Sequence, residues 1–223
     1  MKPTKEYNGR SRIRMYRADC MDLMESKPKN HYSLSIVDPP YGIGESKKAG
    51  KRPKVSVKYK ISNWDDKYPD KEYFTLLINV SVNQILWGAN HYVSQIPYNS
   101  SCWIFWNKVR QSQDFADGEL AWTSFKSAVK MYEFAWDGFR QGDMKNKETR
   151  IHPTQKPVKL YKWLLTNYAK EGDTIIDTHG GSMSIAIACW DLGFDLDICE
   201  LDTDHFNDAV KRFEQHISQT QLF

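Results

Sequence analysis

Residues 38–42 read Asp-Pro-Pro-Tyr-Gly and follow a β-favouring run carrying Leu34, Ile36 and Val37. Two consecutive prolines withdraw two backbone donors and bar the sheet from continuing. An acid, an unbonded proline carbonyl, an aromatic ring and a glycine are thereby presented together at a strand end. Such a group can accept hydrogen bonds from a polar ligand and stack against it. Taken alone, it reads equally well as a rigid surface turn.

A second chemical cluster lies in the last third. The short apolar run TIID (174–177) meets the glycine turn THGGS (178–182), then a helical pattern to Gly193, then the strand-like FDLDICE (194–200). Strand, glycine turn, helix, strand and acid is the arrangement that adenosine-containing cofactors use, because glycines let a ligand approach the backbone at a helix N-terminus. Glu200 stands 19 residues after Gly181, near the ~20 expected of an acid gripping ribose hydroxyls. A tight strand-to-helix connection is the plain alternative. DTHGGSMS lacks the third glycine of a dinucleotide fingerprint, which argues against a nicotinamide cofactor.

The elements that must position these clusters are legible in outline. RIRMYRADC (12–20) alternates and predicts a short strand ending near Ala18–Asp19; YSLSIVD (32–38) predicts the next. Tyr73, Leu76, Leu77 and Val80 share one helical face within 70–84, and 85–90 and 102–108 read as strands. Residues 109–150 mix aromatics and charges without a clear period. A helix is expected from Pro157, with Val158, Tyr161, Leu164, Leu165 and Tyr168 on one face and Gly172 past its end. A last helix places Phe206, Ala209, Val210, Phe213 and Ile217 together, with Thr203 as N-cap. Strands alternating with helices predict a doubly wound, mostly parallel α/β sheet.

The 223 residues suit a single domain. Cys20, Cys102, Cys189 and Cys199 show no metal or redox-pair spacing, and the six histidines form no ligand cluster, so no metal and a reduced, cytoplasmic setting are expected. The polar N-terminus lacks a signal-peptide core, and no run approaches the ~18 apolar residues of a membrane span. A net charge of +3 is mild, so any case for nucleic acid rests on local charge. Residues 45–60 supply it: Lys47, Lys48, Lys51, Arg52, Lys54, Lys58 and Lys60 against one Glu. They read as a loop that is either simply solvated or set against phosphates. Trp103, Trp106, Trp122 and Trp136 are of a kind more often found in the core than stacked on DNA, and no role is assigned to them.

With DPPYG (38–42), HPTQKPVKL (152–160), DTHGGS (177–182) and ICELD (198–202) in this order, the chain resembles the amino-group DNA methyltransferases that use S-adenosylmethionine. More narrowly, it resembles their permuted beta group, in which the DPPY strand precedes the glycine turn and which includes many adenine-N6 enzymes. The resemblance covers nearly the whole chain and implies a Rossmann-like catalytic domain over 1–223, with a small target-recognition insertion within 109–150. It implies a catalytic loop of Asp38, Pro39, Pro40 and Tyr41. It further implies a cofactor pocket drawn from Asp19, Asp38, Thr154, Lys156, Asp177, His179, Gly180, Gly181, Ser182, Glu200 and Leu201, with Lys156 near the methionine carboxylate and Glu200 on the ribose. Double-stranded DNA is the implied partner, and a homodimer is compatible with the family. The turn departs from the family's DPFxGSGT: Thr178 replaces the proline, His179 the aromatic and Met183 the second glycine. Because Met183 cannot take a positive φ as cheaply as glycine, a differently shaped turn is expected.

The implied chemistry suits the residues. Adenine's exocyclic nitrogen is a poor nucleophile, and Asp38 with the Pro39 carbonyl would accept its two N–H groups as charge develops. The base must leave the duplex, and Tyr41 offers a ring for stacking. Three alternatives stay open: a cytosine-N4 enzyme, in which serine more often stands at position 38; a protein-glutamine methyltransferase, whose motif is NPPY and whose glycine turn comes first; and a relative that binds DNA without turnover, suggested by Met183.

Overall fold

Along the central strands, neighbouring apolar residues enter two different cores, as the two-residue period of extended chain requires. Leu34, Ile36 and Ile175 belong to one core, while Val37 and Ile176 belong to the other. The computed structural model describes residues 1–44, 47, 64–110, 116–137 and 140–220. In chain order the strands are β1 (Lys5–Asn8), β2 (Arg12–Tyr16), β3 (Tyr32–Val37), β4 (Ser81–Trp87), β5 (Trp103–Asn107), β6 (Gly118–Thr123), β7 (Lys130–Glu133), β8 (Trp136–Asp137), β9 (Arg140–Gln141), β10 (Thr174–Asp177) and β11 (Asp195–Cys199). The helices are α1 (Cys20–Glu25), α2 (Lys71–Val80), α3 (Val158–Tyr168), α4 (Ser184–Leu192) and α5 (Thr203–Thr220).

Nine strands form one sheet in the order β1-β2-β11-β10-β3-β4-β6-β5-β7, and β8 and β9 form a separate hairpin. From β2 through β11, β10 and β3 to β4 all pairings are parallel. The β3-α2-β4 crossover departs to one side of the central pair β10/β3, and β10-α4-β11 departs to the other. The reversal makes the carboxyl ends of β3 and β10 a topological switch point, where open α/β sheets bind ligands. Residues of α1 and α2 fill one core and residues of α3, α4 and α5 the other, so both faces are covered. The doubly wound α/β expectation holds.

Local boundaries differ where pairing overrides periodicity. The helix expected over 70–84 stops at Val80, and Ser81 turns extended at φ −125° and ψ 142° to open β4 against Tyr32. The strand expected over 12–20 is β2 and ends at Tyr16 rather than Ala18–Asp19, because Asp19 caps α1 by accepting from the Met21 amide at 2.9 Å. The last helix is capped by Asp202, whose Oδ1 accepts from the amides of Asp204 (2.8 Å) and His205 (2.9 Å). Thr203, the expected cap, instead meets Arg17 through its hydroxyl at 3.1 Å. Trp106, Trp122 and Trp136 are buried as expected, and Trp103 is half-buried.

Candidate active site

Strand β3 ends at Val37, so Asp38 is the first residue beyond the sheet. Asp65 holds the loop that follows: its Oδ1 accepts from the amides of Tyr41 (2.8 Å) and Gly42 (3.0 Å). The Tyr41 hydroxyl donates to Asp38 Oδ1 at 2.6 Å and lies 3.2 Å from Glu119 Oε2. Its ring stacks on His91, with centroids 5.1 Å apart and planes at 16°. The expectation of a ring open for stacking is therefore modified: the loop folds Tyr41 inward, where its hydroxyl orients Asp38.

Lys156, which the resemblance implied at the cofactor, lines the cleft and also reaches the catalytic loop. Its ammonium is buried, 2.5 Å from Asp38 Oδ2, 2.9 Å from Glu119 Oε2 and 3.1 Å from the Tyr41 hydroxyl. Glu119 also pairs with Lys108. Two carboxylates and two ammoniums thus share one cluster, with Lys156 buried at its centre and the other three half-buried. Burial works against the charge on Lys156, but Asp38 and Glu119 outweigh it and raise its pKa, so the ammonium persists. Burial likewise opposes the charge on Glu119, yet Lys108 and Lys156 hold its carboxyl far below the usual range. Asp38 moves the other way: burial is the largest influence and, reinforced by Glu119, raises its pKa against the pull of Lys156.

At the neighbouring strand end, the glycine turn is tied back to β11. The Gly180 amide donates to the Cys199 carbonyl at 2.6 Å, and the Gly181 amide to Glu200 Oε2 at 2.7 Å. Glu200 Oε1 accepts from the Asp202 amide at 2.9 Å. Met183 adopts the left-handed conformation, at φ 52°, as N-cap of α4. The residue thus accepts the costly backbone that its type argued against. Its fully buried side chain and its amide's 2.7 Å bond to the Gly180 carbonyl show what holds it there.

Thr178 and His179, the other departures, are linked by a side-chain bond of 2.9 Å, and Tyr73 from α2 reaches Thr178 Oγ1 at 2.6 Å. Burial lowers His179 to about 4, and burial with His205 nearby lowers His152 to about 3. Asp177 is raised to about 8, mainly by burial, although its Oδ1 accepts from the His179 amide.

One cleft of about 720 Å³ joins the two strand ends. Of the residues expected at the cofactor, Asp19, Asp38, Thr154, Lys156, His179, Gly180, Gly181, Ser182, Glu200 and Leu201 line it, as does Pro40 from the catalytic loop. Asp177 does not line it and is buried; Pro39 and Tyr41 are not part of its lining either. Of the basic loop, Lys47 pairs with Asp66 at 2.7 Å. Lys48, Lys51, Arg52, Lys54, Lys58 and Lys60 lie outside the described residues.

Residues 83–211 match the family model described as DNA methylase, which covers N6 and N4 enzymes and spans more than half of this chain. The chain belongs to the DNA methylase family. Its fold is similar to the crystal structure of an M1.HpyAVI–SAM complex, at 18% identity and TM-score 0.55, covering 90% of this chain and 99% of that one. The PvuII DNA methyltransferase (cytosine-N4-specific) aligns at 12% identity and TM-score 0.61, over 97% and 92%. TTHA0409 from Thermus thermophilus, complexed with S-adenosyl-L-methionine, aligns at 14% identity and TM-score 0.58, over 91% and 95%. No curated protein matches the chain.

DNA methylases use S-adenosylmethionine, and the cleft fits it. Its volume lies in the ordinary range for such ligands. At its glycine turn, among the described residues, a strand-end carboxylate receives only backbone amides, one on each oxygen, which leaves a second lone pair on each for hydroxyl donors. Among the described residues no helix is long and apolar enough to cross a membrane, and no group of three or more His, Cys, Asp or Glu could hold a metal ion.

Sequence reasoning missed Glu119, Lys108, Asp65 and Gly88. Glu119 carried a signal, being an acid within the otherwise uncharged strand GELAWT.

Proposed function

We propose that this DNA methylase transfers the methyl group of S-adenosylmethionine to the exocyclic N6 of adenine in double-stranded DNA, after the base has been flipped from the helix. The observation that carries the reading is the placement of Asp38 at the carboxyl end of β3, where it lines one cleft with the glycine turn at the end of β10, and Pro39 follows it directly. Aspartate rather than serine at position 38 favours adenine over cytosine.

When bound, the cofactor supplies an electrophilic sulfonium methyl. Glu200, Asp19 and the Gly180–Ser182 backbone would hold its adenosine side of the cleft, with Thr154 opposite. Asp38 Oδ2 and the Pro39 carbonyl accept the two amino hydrogens, which concentrates the lone pair on the nitrogen and stabilises its developing charge. Tyr41, fixed by Asp65 through its amide and by His91 through its ring, holds Asp38 Oδ1 in place. Burial raises Asp38, so it is suited to take the proton the nitrogen then sheds. A single catalytic domain serves this role, with residues 45–60 meeting DNA phosphates and part of 109–150 meeting the target.

Mass spectrometry of nucleosides digested from duplex DNA treated with the protein tests the assignment. N6-methyladenine is the expected product. N4-methylcytosine as the sole product would transfer the assignment to the cytosine class, and no methylated base would favour a binding relative.

A further inference from the structure

We infer that Glu119 is a positioning residue for methyl transfer: together with Lys108 it shares the Lys156 ammonium and keeps Asp38 available as an acceptor. The inference rests on the proposed role of Asp38 and adds to it a control residue on a distant strand.

The geometry is specific. Lys156 is nearly solvent-free, with its side chain 3% exposed, so its charge must be met by protein groups. Two carboxylates meet it, at 2.5 Å from Asp38 and 2.9 Å from Glu119. If Asp38 were the sole partner, it would carry the whole pairing and become a poorer acceptor for another N–H. Glu119 divides that demand. It is presented from β6 opposite Trp106 on β5, and Lys108, just beyond β5, grips its other oxygen. Tyr41 spans the two carboxylates with one hydroxyl, so the loop that bears Asp38 registers the position of Glu119 directly.

The groups that face Asp38 are Tyr41 from its own loop, Glu119 from β6, Lys156 ahead of α3, Tyr161 from α3, Asp177 from β10 and Tyr92 after β4. Tyr41, Tyr92 and Tyr161 are all raised well above the ordinary tyrosine value by burial, so they stay neutral. Asp177 titrates at about 8 and is common to every variant below. The charge that can be changed without touching Asp38 therefore belongs to Glu119 and Lys108.

These two residues act on Asp38 with opposite sign. Glu119→Gln removes a neighbouring negative charge and leaves Lys156 to Asp38 alone. Both changes make Asp38 harder to protonate, so the acidic limb of the kcat profile moves to lower pH by ~1 unit or more. Lys108→Gln frees Glu119 to draw Lys156 away, and the limb moves to higher pH. A residue with a merely structural role would lower activity without moving the limb in either direction.

The experiment measures single-turnover methyl transfer to amplified, unmethylated genomic DNA across pH for the full chain and both variants, with cofactor titration confirming a formed site. Opposite displacements support the inference; no displacement, or displacement in the same direction, overturns it. Should Glu119→Gln fail to fold, Lys108→Gln decides alone, and a limb that does not move upward defeats the proposal. Asp38→Asn keeps the two readings separate. If that variant retains the wild-type limb, the role of Asp38 itself is wrong. If it loses activity while the other two leave the limb in place, only the role of Glu119 is wrong.

Discussion

The backbone of Gly88 runs so close beneath Tyr41 that a Cβ at that position would stand 2.0 Å from the ring. Gly88 also lies at φ 71° and follows directly on β4, where its amide donates to the Leu120 carbonyl at 2.8 Å. The inward pose of Tyr41, and with it the hydroxyl that orients Asp38, thus depends on a missing side chain one strand away.

Gly88→Ala should displace the Tyr41 ring and add ~1–2 kcal/mol of backbone strain. A shift of about 1 Å near reacting groups commonly costs ~10² in rate. The expected result is a large fall in kcat with cofactor affinity kept, since Gly88 lies outside the glycine turn. Calorimetric titration beside single-turnover rates checks both halves, and an unchanged rate would refute the dependence.

Asp38→Ala should reduce methyl transfer by ~10²–10³, the usual loss for one well-placed group acting on developing charge. It also leaves Lys156 to Glu119 alone, so the fold should survive. Retention of full activity in a folded variant is incompatible with the proposed acceptor.

Glu200→Ala should weaken cofactor binding by roughly 1.5–3 kcal/mol, as when a hydrogen bond to a charged group is lost. The Gly181 and Asp202 amides lose their acceptor as well, so Glu200→Gln, which keeps one carbonyl oxygen, should fall between the wild type and the alanine variant. Equal affinities across the three proteins would remove Glu200 from the cofactor.

Met183 sets two effects against each other. Met183→Gly relieves ~1–2 kcal/mol of left-handed strain but forfeits a fully buried side chain, a loss of ~2–5 kcal/mol for large-to-small changes. Burial wins, and the variant should be less stable by roughly 1–3 kcal/mol. Urea unfolding measures this; a stabilised variant would mean that strain dominates the turn.

Asp177 predicts a pH dependence of stability. Its folded pKa, about 8, lies above the ordinary aspartate value, so between ~4 and 8 the native state binds the extra proton and stability declines as pH rises. His152 and His179, lowered to about 3 and 4, work the other way below ~6.5. The difference between Asp177→Asn and wild type isolates the first effect, because both histidines are common to the two proteins. The variant should gain steadily in relative melting temperature from pH 5 to pH 8, and parallel curves would place the Asp177 pKa in the normal range.

The parts legible in the sequence were those written locally. The apolar alternation of Tyr32–Val37 and the helical stripe from Phe206 to Ile217 need no distant partner to be recognised, and the strand ends at Asp38 and Glu200 follow from them. Ser81–Gln84 misled because their periodicity is helical, while pairing with β3 decides their state. Glu119 joins Tyr41 from 78 residues away and Lys156 joins it from 115 away, so no single stretch of the chain brings the cluster together. Met183 was read for the difficulty of its φ; the core that rewards its side chain is built by other segments.

The order of the sheet bears on how the protein is made. Strands β10 and β11 sit between β2 and β3, yet they are synthesised after all the other described strands. Until they leave the ribosome, the facing edges of β2 and β3 have no neighbours, and exposed edges of this kind invite pairing between chains. The nascent polypeptide must therefore hold β2 and β3 in waiting and close the sheet from the middle once β10 and β11 have emerged. Only at that moment do Asp38 and the glycine turn become neighbours, so an incomplete chain ending before Thr174 has no assembled cleft with which to modify DNA.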